Sequence, residues 1–180
     1  MGGYGSGIRN YGFKTLVEDC LSIGICTLTS DLNRVDSGGG IRYGSIYWTR
    51  NGKRIGDIGY QVFKKNSIIV VYLNYKTTNR ITGEEKEFEY PVRVQYTKPY
   101  FGGKRYWFTC PLVINGKACQ RRVGKLYQPP GGDYFGCRHC YDLVYLSSRE
   151  SHKWDSMWKR LGVDPRIGKR LEMRDWLRRE

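Results

Sequence analysis

Four cysteines, Cys110, Cys119, Cys137 and Cys140, fall within 31 residues of a 180-residue chain. Thiolates are soft ligands, and Zn2+ takes four of them in a tetrahedron when two tight turns present them in pairs. Cys137-Arg138-His139-Cys140 has the spacing of such a turn, whereas Cys110 and Cys119, with eight residues between them, read as a loop. Between the pairs the sequence predicts a hairpin. Arg121 to Tyr127 is its first strand, Pro129-Pro130-Gly131-Gly132 its turn and Asp133 to Gly136 its return. Two cysteine-bearing turns joined by a hairpin make a zinc ribbon. The competing reading is four buried thiols in a reduced core, but Gly116, Lys117, Gly136, Arg138 and His139 are surroundings that suit ligands better. Four cysteine ligands leave no open coordination position, so the one Zn2+ expected here is structural and does not activate water. His139 reads as a surface imidazole, and Cys20 and Cys26 as structural thiols.

The second chemistry is charge. Lys and Arg number 31 against 17 Asp and Glu, a formal +14, which favours polyanionic partners. Residues 98–137 hold seven basic side chains and one acid, Asp133, so positive density peaks where the cysteines are. Aromatic rings are interleaved there. Basic side chains neutralise phosphates while rings stack on unpaired bases. The candidate phosphate contacts are Arg105, Lys117, Arg121, Arg122, Lys125 and Arg138, with Trp107 and Tyr127 as stacking candidates. Strand alternation puts Arg105 and Trp107 on one face and Tyr106 and Phe108 on the other. The alternative class is a protein-interaction module acting on a host complex, with the Gly-rich arm and the helices of Trp154, Trp158 and Trp176 as recognition elements.

Catalysis is not expected. A metal-dependent nuclease gathers carboxylates or histidines around an open metal. This chain has two histidines, His139 and His152, and its acidic run Glu84-Glu85-Lys86-Glu87 reads as solvated turn and strand. No nucleophile triad or phosphate-binding glycine loop is present. The longest apolar run, Ile68 to Leu73, is six residues, far short of the roughly 20 of a membrane helix. With no apolar leader at the amino terminus, a cytoplasmic protein with reduced cysteines is expected.

These residues need a scaffold. Hydrophobic residues are 39% of the chain but Tyr alone accounts for 15, which suggests a small-cored, sheet-rich design. The expected class is α+β, mainly β: a four-stranded antiparallel sheet, then the four-cysteine ribbon, then carboxyl-terminal helices. Residues 1–12 read as a Gly-rich arm, 13–97 as a short helix plus β-meander, 98–146 as the ribbon and 147–180 as a basic helical tail. Thr15-Leu16-Val17-Glu18 fits a capping box for the short helix, and Thr29 to Arg34 gives a second helical signal. A helix-turn-helix around Gly24 would need a longer second helix than that. Asn51-Gly52 marks a hairpin between Ile41–Thr49 and Lys53–Phe63, with Ser67–Tyr75 and Lys86–Thr97 as further strands. Pro91 pushes the last strand towards an edge or a bulge.

The arm MGGYGSGIRN, the segment Thr15 to Ser22, Tyr106-Trp107-Phe108-Thr109-Cys110-Pro111, Arg121 to Tyr127 and Tyr134 to Tyr145 carry a resemblance. In these segments the chain resembles a family of short zinc-ribbon proteins from bacteria, their phages and mobile elements. The resemblance implies the ribbon and its metal, and implies no particular activity. Relatives usually have a shorter loop between the first two cysteines.

Overall fold

The computed structural model describes residues 14–78 and 83–150. The arm at 1–12 lies outside them, as does the tail beyond residue 150. Residues up to Leu143 form one compact unit, and a second begins at Val144, with one short described helix, Leu146–Glu150.

Strands dominate the first unit. In chain order they are β1 (Leu21–Gly24), then, after helix α1 (Ile25–Gly38), β2 (Ile41–Arg50), β3 (Lys53–Lys65), β4 (Ile68–Thr78) and β5 (Glu85–Thr97). There follow β6 (Arg105–Thr109), β7 (Val113–Ile114), β8 (Lys117–Ala118), β9 (Arg122–Val123) and β10 (Lys125–Gln128). Asn51 and Gly52 both have positive φ, 51° and 73°, the primed turn that matches strand twist and joins β2 to β3. Asn66 and Ser67, at 48° and 64°, make the next connection the same way.

The sheet is larger than the four strands expected. It has six antiparallel strands in the order β2-β3-β4-β5-β6-β9, because β6 pairs with β5 and β9 with β6. The predicted strand from Arg121 to Tyr127 is split at Gly124. Its first part, β9, stays on the sheet, and its second, β10, pairs with β1. The return from Asp133 to Gly136 reduces to one bridge between Tyr127 and Gly136.

Two further expectations change. The short helix near Val17 is a single 3-10 turn, Val17–Asp19, after which Leu21 to Gly24 extend so that Ile23 pairs with Leu126 in the core. The second helical signal is instead a full helix from Ile25 to Gly38. Its stripe Ile25, Leu28, Leu32 and Val35 is buried, and that spacing keeps one face on the sheet. A helix preceded by a strand is no helix-turn-helix. Pro91 does not make its strand an edge: β5 is central in the sheet, although β6 pairs only with Val94 to Thr97, so at Pro91 itself the one neighbouring strand is β4.

The core lies between α1 and one face of the sheet, where Ile58, Val62, Val71, Leu73, Val92 and Phe108 are buried. Gly44 faces Tyr60 across the β2–β3 pair, and a Cβ at Gly44 would lie 2.3 Å from the ring, so only glycine admits it. The Tyr60 hydroxyl then donates to Asp31 of α1 at 2.8 Å.

At the end of α1, Asp36 makes the second tether. Its side chain is 5% exposed and accepts hydrogen bonds from Lys64, Lys104 and Tyr106. The Lys104 bond, then that of Lys64, holds its carboxyl below the usual range. A carboxyl depressed in the folded state adds stability above its unfolded value of about 4, and this is lost as pH falls through the folded value. The stability gap between the parent and Asp36→Asn should therefore be widest near about pH 6 and close as the medium is acidified towards about pH 2, measured by denaturant unfolding. A gap independent of pH would remove the charge from the tether. No helix among the described residues is long and apolar enough to cross a membrane.

Candidate metal centre and the cations around it

Three short pieces of backbone deliver the four thiols. Cys110 follows directly on β6 and Cys119 on β8, while Cys137 and Cys140 occupy the turn after the Tyr127–Gly136 bridge. The eight residues between the first two are a miniature hairpin rather than an open loop. Asn115 and Gly116, with φ of 50° and 75°, turn β7 into β8, and the Cys119 N–H donates to the Leu112 carbonyl at 2.9 Å. The Cys110 N–H donates to the Arg121 carbonyl at the same distance, which fixes the ligand to the strand beyond the hairpin.

All four Sγ atoms lie within 4.8 Å of one another. Cys110 to Cys140 is 3.8 Å, Cys119 to Cys137 is 3.9 Å and Cys137 to Cys140 is 3.4 Å. A tetrahedron with metal–sulfur bonds of about 2.3 Å has edges of about 3.8 Å. The spacing fits one tetrahedral ion. It is too wide for a disulfide, and all six cysteines are free. Two backbone N–H groups point at sulfur, Cys137 at Cys110 and Cys140 at Cys137, as they do where thiolates need stabilising.

Without a cation the set is electrostatically unfavourable. Burial pushes the Cys110 thiol up to about 11. Burial, and then hydrogen bonds with Cys119 and Cys137, raises Cys140 as well. Cys119 falls below an ordinary thiol, its burial outweighed by hydrogen bonds from the Arg121 backbone and the neighbouring cysteines. A divalent ion at the centre removes the penalty, because coordination deprotonates a thiol outright. His139 is exposed beside the cluster. Cys20 is half-buried, donates to the Leu16 carbonyl and is raised to about 11, chiefly by burial, while Cys26 is exposed on α1. Neither belongs to the cluster.

Gly136 closes the site from behind. A Cβ there would fall 2.1 Å from Leu112 Cδ1 and 3.0 Å from the Tyr141 ring. Leu112 belongs to the first ligand hairpin and Tyr141 follows the second pair. This glycine therefore lets the two cysteine-bearing segments approach each other.

The expected phosphate contacts are mostly where solvent reaches them. Arg105, Lys117, Arg121, Arg122 and Lys125 are exposed, and Arg138 is half-buried. Arg105 lies over the Trp107 ring at 4.3 Å, and the indole N–H donates to Thr97. Tyr106 and Phe108 are buried on the opposite side of β6, the alternation expected. Tyr127 is different: at 7% exposed it is a core residue, so its ring is not offered for stacking. Pairing of β10 with β1 turns it inward. The aromatics that do stand out, Tyr100 and Phe101 at 96% and 97% exposed, sit in the β5–β6 connection. No protein-family model, curated protein or solved structure matches the chain.

Proposed function

We propose that the chain is a zinc-stapled protein that binds nucleic acid, DNA or RNA, without catalysis. Cys110, Cys119, Cys137 and Cys140 would hold one Zn2+, whose contribution is to fix the fold, since four thiolates leave it no open position. The chain's own residues do the binding. The observation that carries this reading is a set of five exposed cations, Arg105, Lys117, Arg121, Arg122 and Lys125. Among the described residues none of the five pairs with a carboxylate. Exposed cations without acidic partners attract a phosphate backbone, which releases its counterions on binding.

The double substitution Arg121→Ala, Arg122→Ala is the test. It should weaken binding to single strands, duplex DNA and RNA alike. The dependence of log affinity on log salt should flatten by about 1.4 on single strands and about 1.8 on duplex. Unchanged affinity would take the cysteine-rich segment out of the interface.

The second reading, docking on a host protein complex, draws on Tyr100 and Phe101, whose full exposure resembles the aromatic anchors of protein interfaces. A pull-down in which Tyr100→Ala, Phe101→Ala loses a specific protein would favour it.

A further inference from the structure

The six-stranded sheet has a second face. On the side away from α1, strand register sets Tyr43, Gln61, Tyr72 and Pro91 in one row and Ile41, Phe63, Val70 and Arg93 in the next. Gln95 opposite Trp107 and Thr97 opposite Arg105 continue this face onto β6, and Thr109 opposite Arg122 carries it to β9. Contacts bear out the assignment. Phe63 stacks on Tyr72 at 5.5 Å, Gln95 donates to Thr109, and Arg105 covers Trp107. Phe63, Val70, Tyr72 and Trp107 stand outside the core cluster, and Tyr43 is 68% exposed.

Charge on this face is segregated. The half that carries Phe63 and Trp107 holds Lys65, Arg93, Arg105 and Arg122, and among the described residues no acid on these strands points out beside them. The acids of the face, Asp57, Glu85, Glu87 and Glu89, lie towards the other end of the strands, where Glu87 pairs with Lys76. Rings and unpaired cations without acids make a surface complementary to phosphates and base faces.

We propose that this open face binds single-stranded nucleic acid, with Tyr43, Tyr72 and Trp107 as stacking positions and Arg93, Arg105 and Arg122 as phosphate contacts. The proposal rests on the nucleic-acid reading above and gives it a substrate class. The three rings sit on alternate strands β2, β4 and β6: Tyr43 and Tyr72 share a row and lie about 10 Å apart, and Trp107, opposite Gln95, lies two rows further along the strands, so the three run in a diagonal line across the sheet. Such a line suits splayed, unpaired bases. A duplex hides its base faces, and rings lying against a sheet do not reach into its grooves.

The test is fluorescence anisotropy of the full chain with a labelled 20-nucleotide single strand and with the matching duplex, at about 150 mM salt. Tyr43→Ala, Tyr72→Ala should lose about tenfold or more on the single strand while duplex binding stays as in the parent. Tyr43→Ala alone removes an exposed ring without touching the core, and should lose about fivefold at unchanged melting temperature. Parent-like single-strand affinity in both variants overturns the platform and leaves the nucleic-acid reading standing. Equal losses on single strand and duplex overturn it too, since stacking cannot weaken a closed helix. A parent chain that binds neither probe overturns both.

Discussion

Cys137→Ser should abolish stoichiometric zinc and lower stability by on the order of 5 kcal/mol, part of the about 10–16 kcal/mol that structural Zn2+ contributes in small zinc domains. Cys137 is fully buried, its sulfur lies within hydrogen-bond reach of Cys119 and Cys140, and its own N–H serves Cys110. A serine hydroxyl is a hard, protonated replacement that the ion does not accept. The damage would not stay local. Cys110 is continuous with β6 and Gly136 with the bridge to β10, so an untethered site loosens the last strands of the sheet. Metal content by mass spectrometry and thermal unfolding check this together. A variant with full zinc and parental melting would contradict the ligand set. Chelation of the parent should reproduce the same loss.

The second large effect comes from a residue that touches no metal. Gly136→Ala forces Leu112 to move, because the new methyl would stand 2.1 Å from its Cδ1, with the Tyr141 ring at 3.0 Å on another side. Overpacking of this kind costs about 1–3 kcal/mol. Here it also pushes apart the two segments that bring in the thiol pairs, so zinc affinity should fall about 10–100-fold, as when other outer contacts of a metal site are lost. Competition with a chromophoric chelator measures it. Parental affinity together with reduced melting would confine the glycine to packing.

The four-cysteine cluster was legible because paired cysteines at this spacing are the pattern of a tetrahedral metal site, and the four sulfurs do come together. The first hairpin was equally available, since Asn115-Gly116 is the same turn signal as Asn51-Gly52. Its strands, Val113–Ile114 and Lys117–Ala118, are only two residues each, too short to show alternation, and so it reads as a loop. The β-meander was legible from period-two patterning over long strands. What period cannot reveal is partner choice. Nothing in Arg121 to Tyr127 says that Gly124 divides it between two sheets, and that division buries Tyr127. Helix α1 was half hidden because Gly24, Cys26, Thr27 and Thr29 weaken its start, and packing of Ile25 and Leu28 on the sheet outweighs their propensities. The aromatic face was the least visible. Its rows run across strands, and only register sets Tyr43 and Tyr72 in one row and brings Trp107 onto the same face two rows away.

The central claim, that this zinc-stapled chain binds nucleic acid through its cations, is tested most directly by affinity against salt for the metal-loaded protein with single-stranded DNA, duplex DNA and RNA. Five phosphate contacts predict a log–log slope of about −3.5 on single strands and about −4.5 on duplex, with binding that persists near 150 mM salt and is strongest for single strands. Weak binding that vanishes by about 150 mM salt and is equal for all three would contradict it.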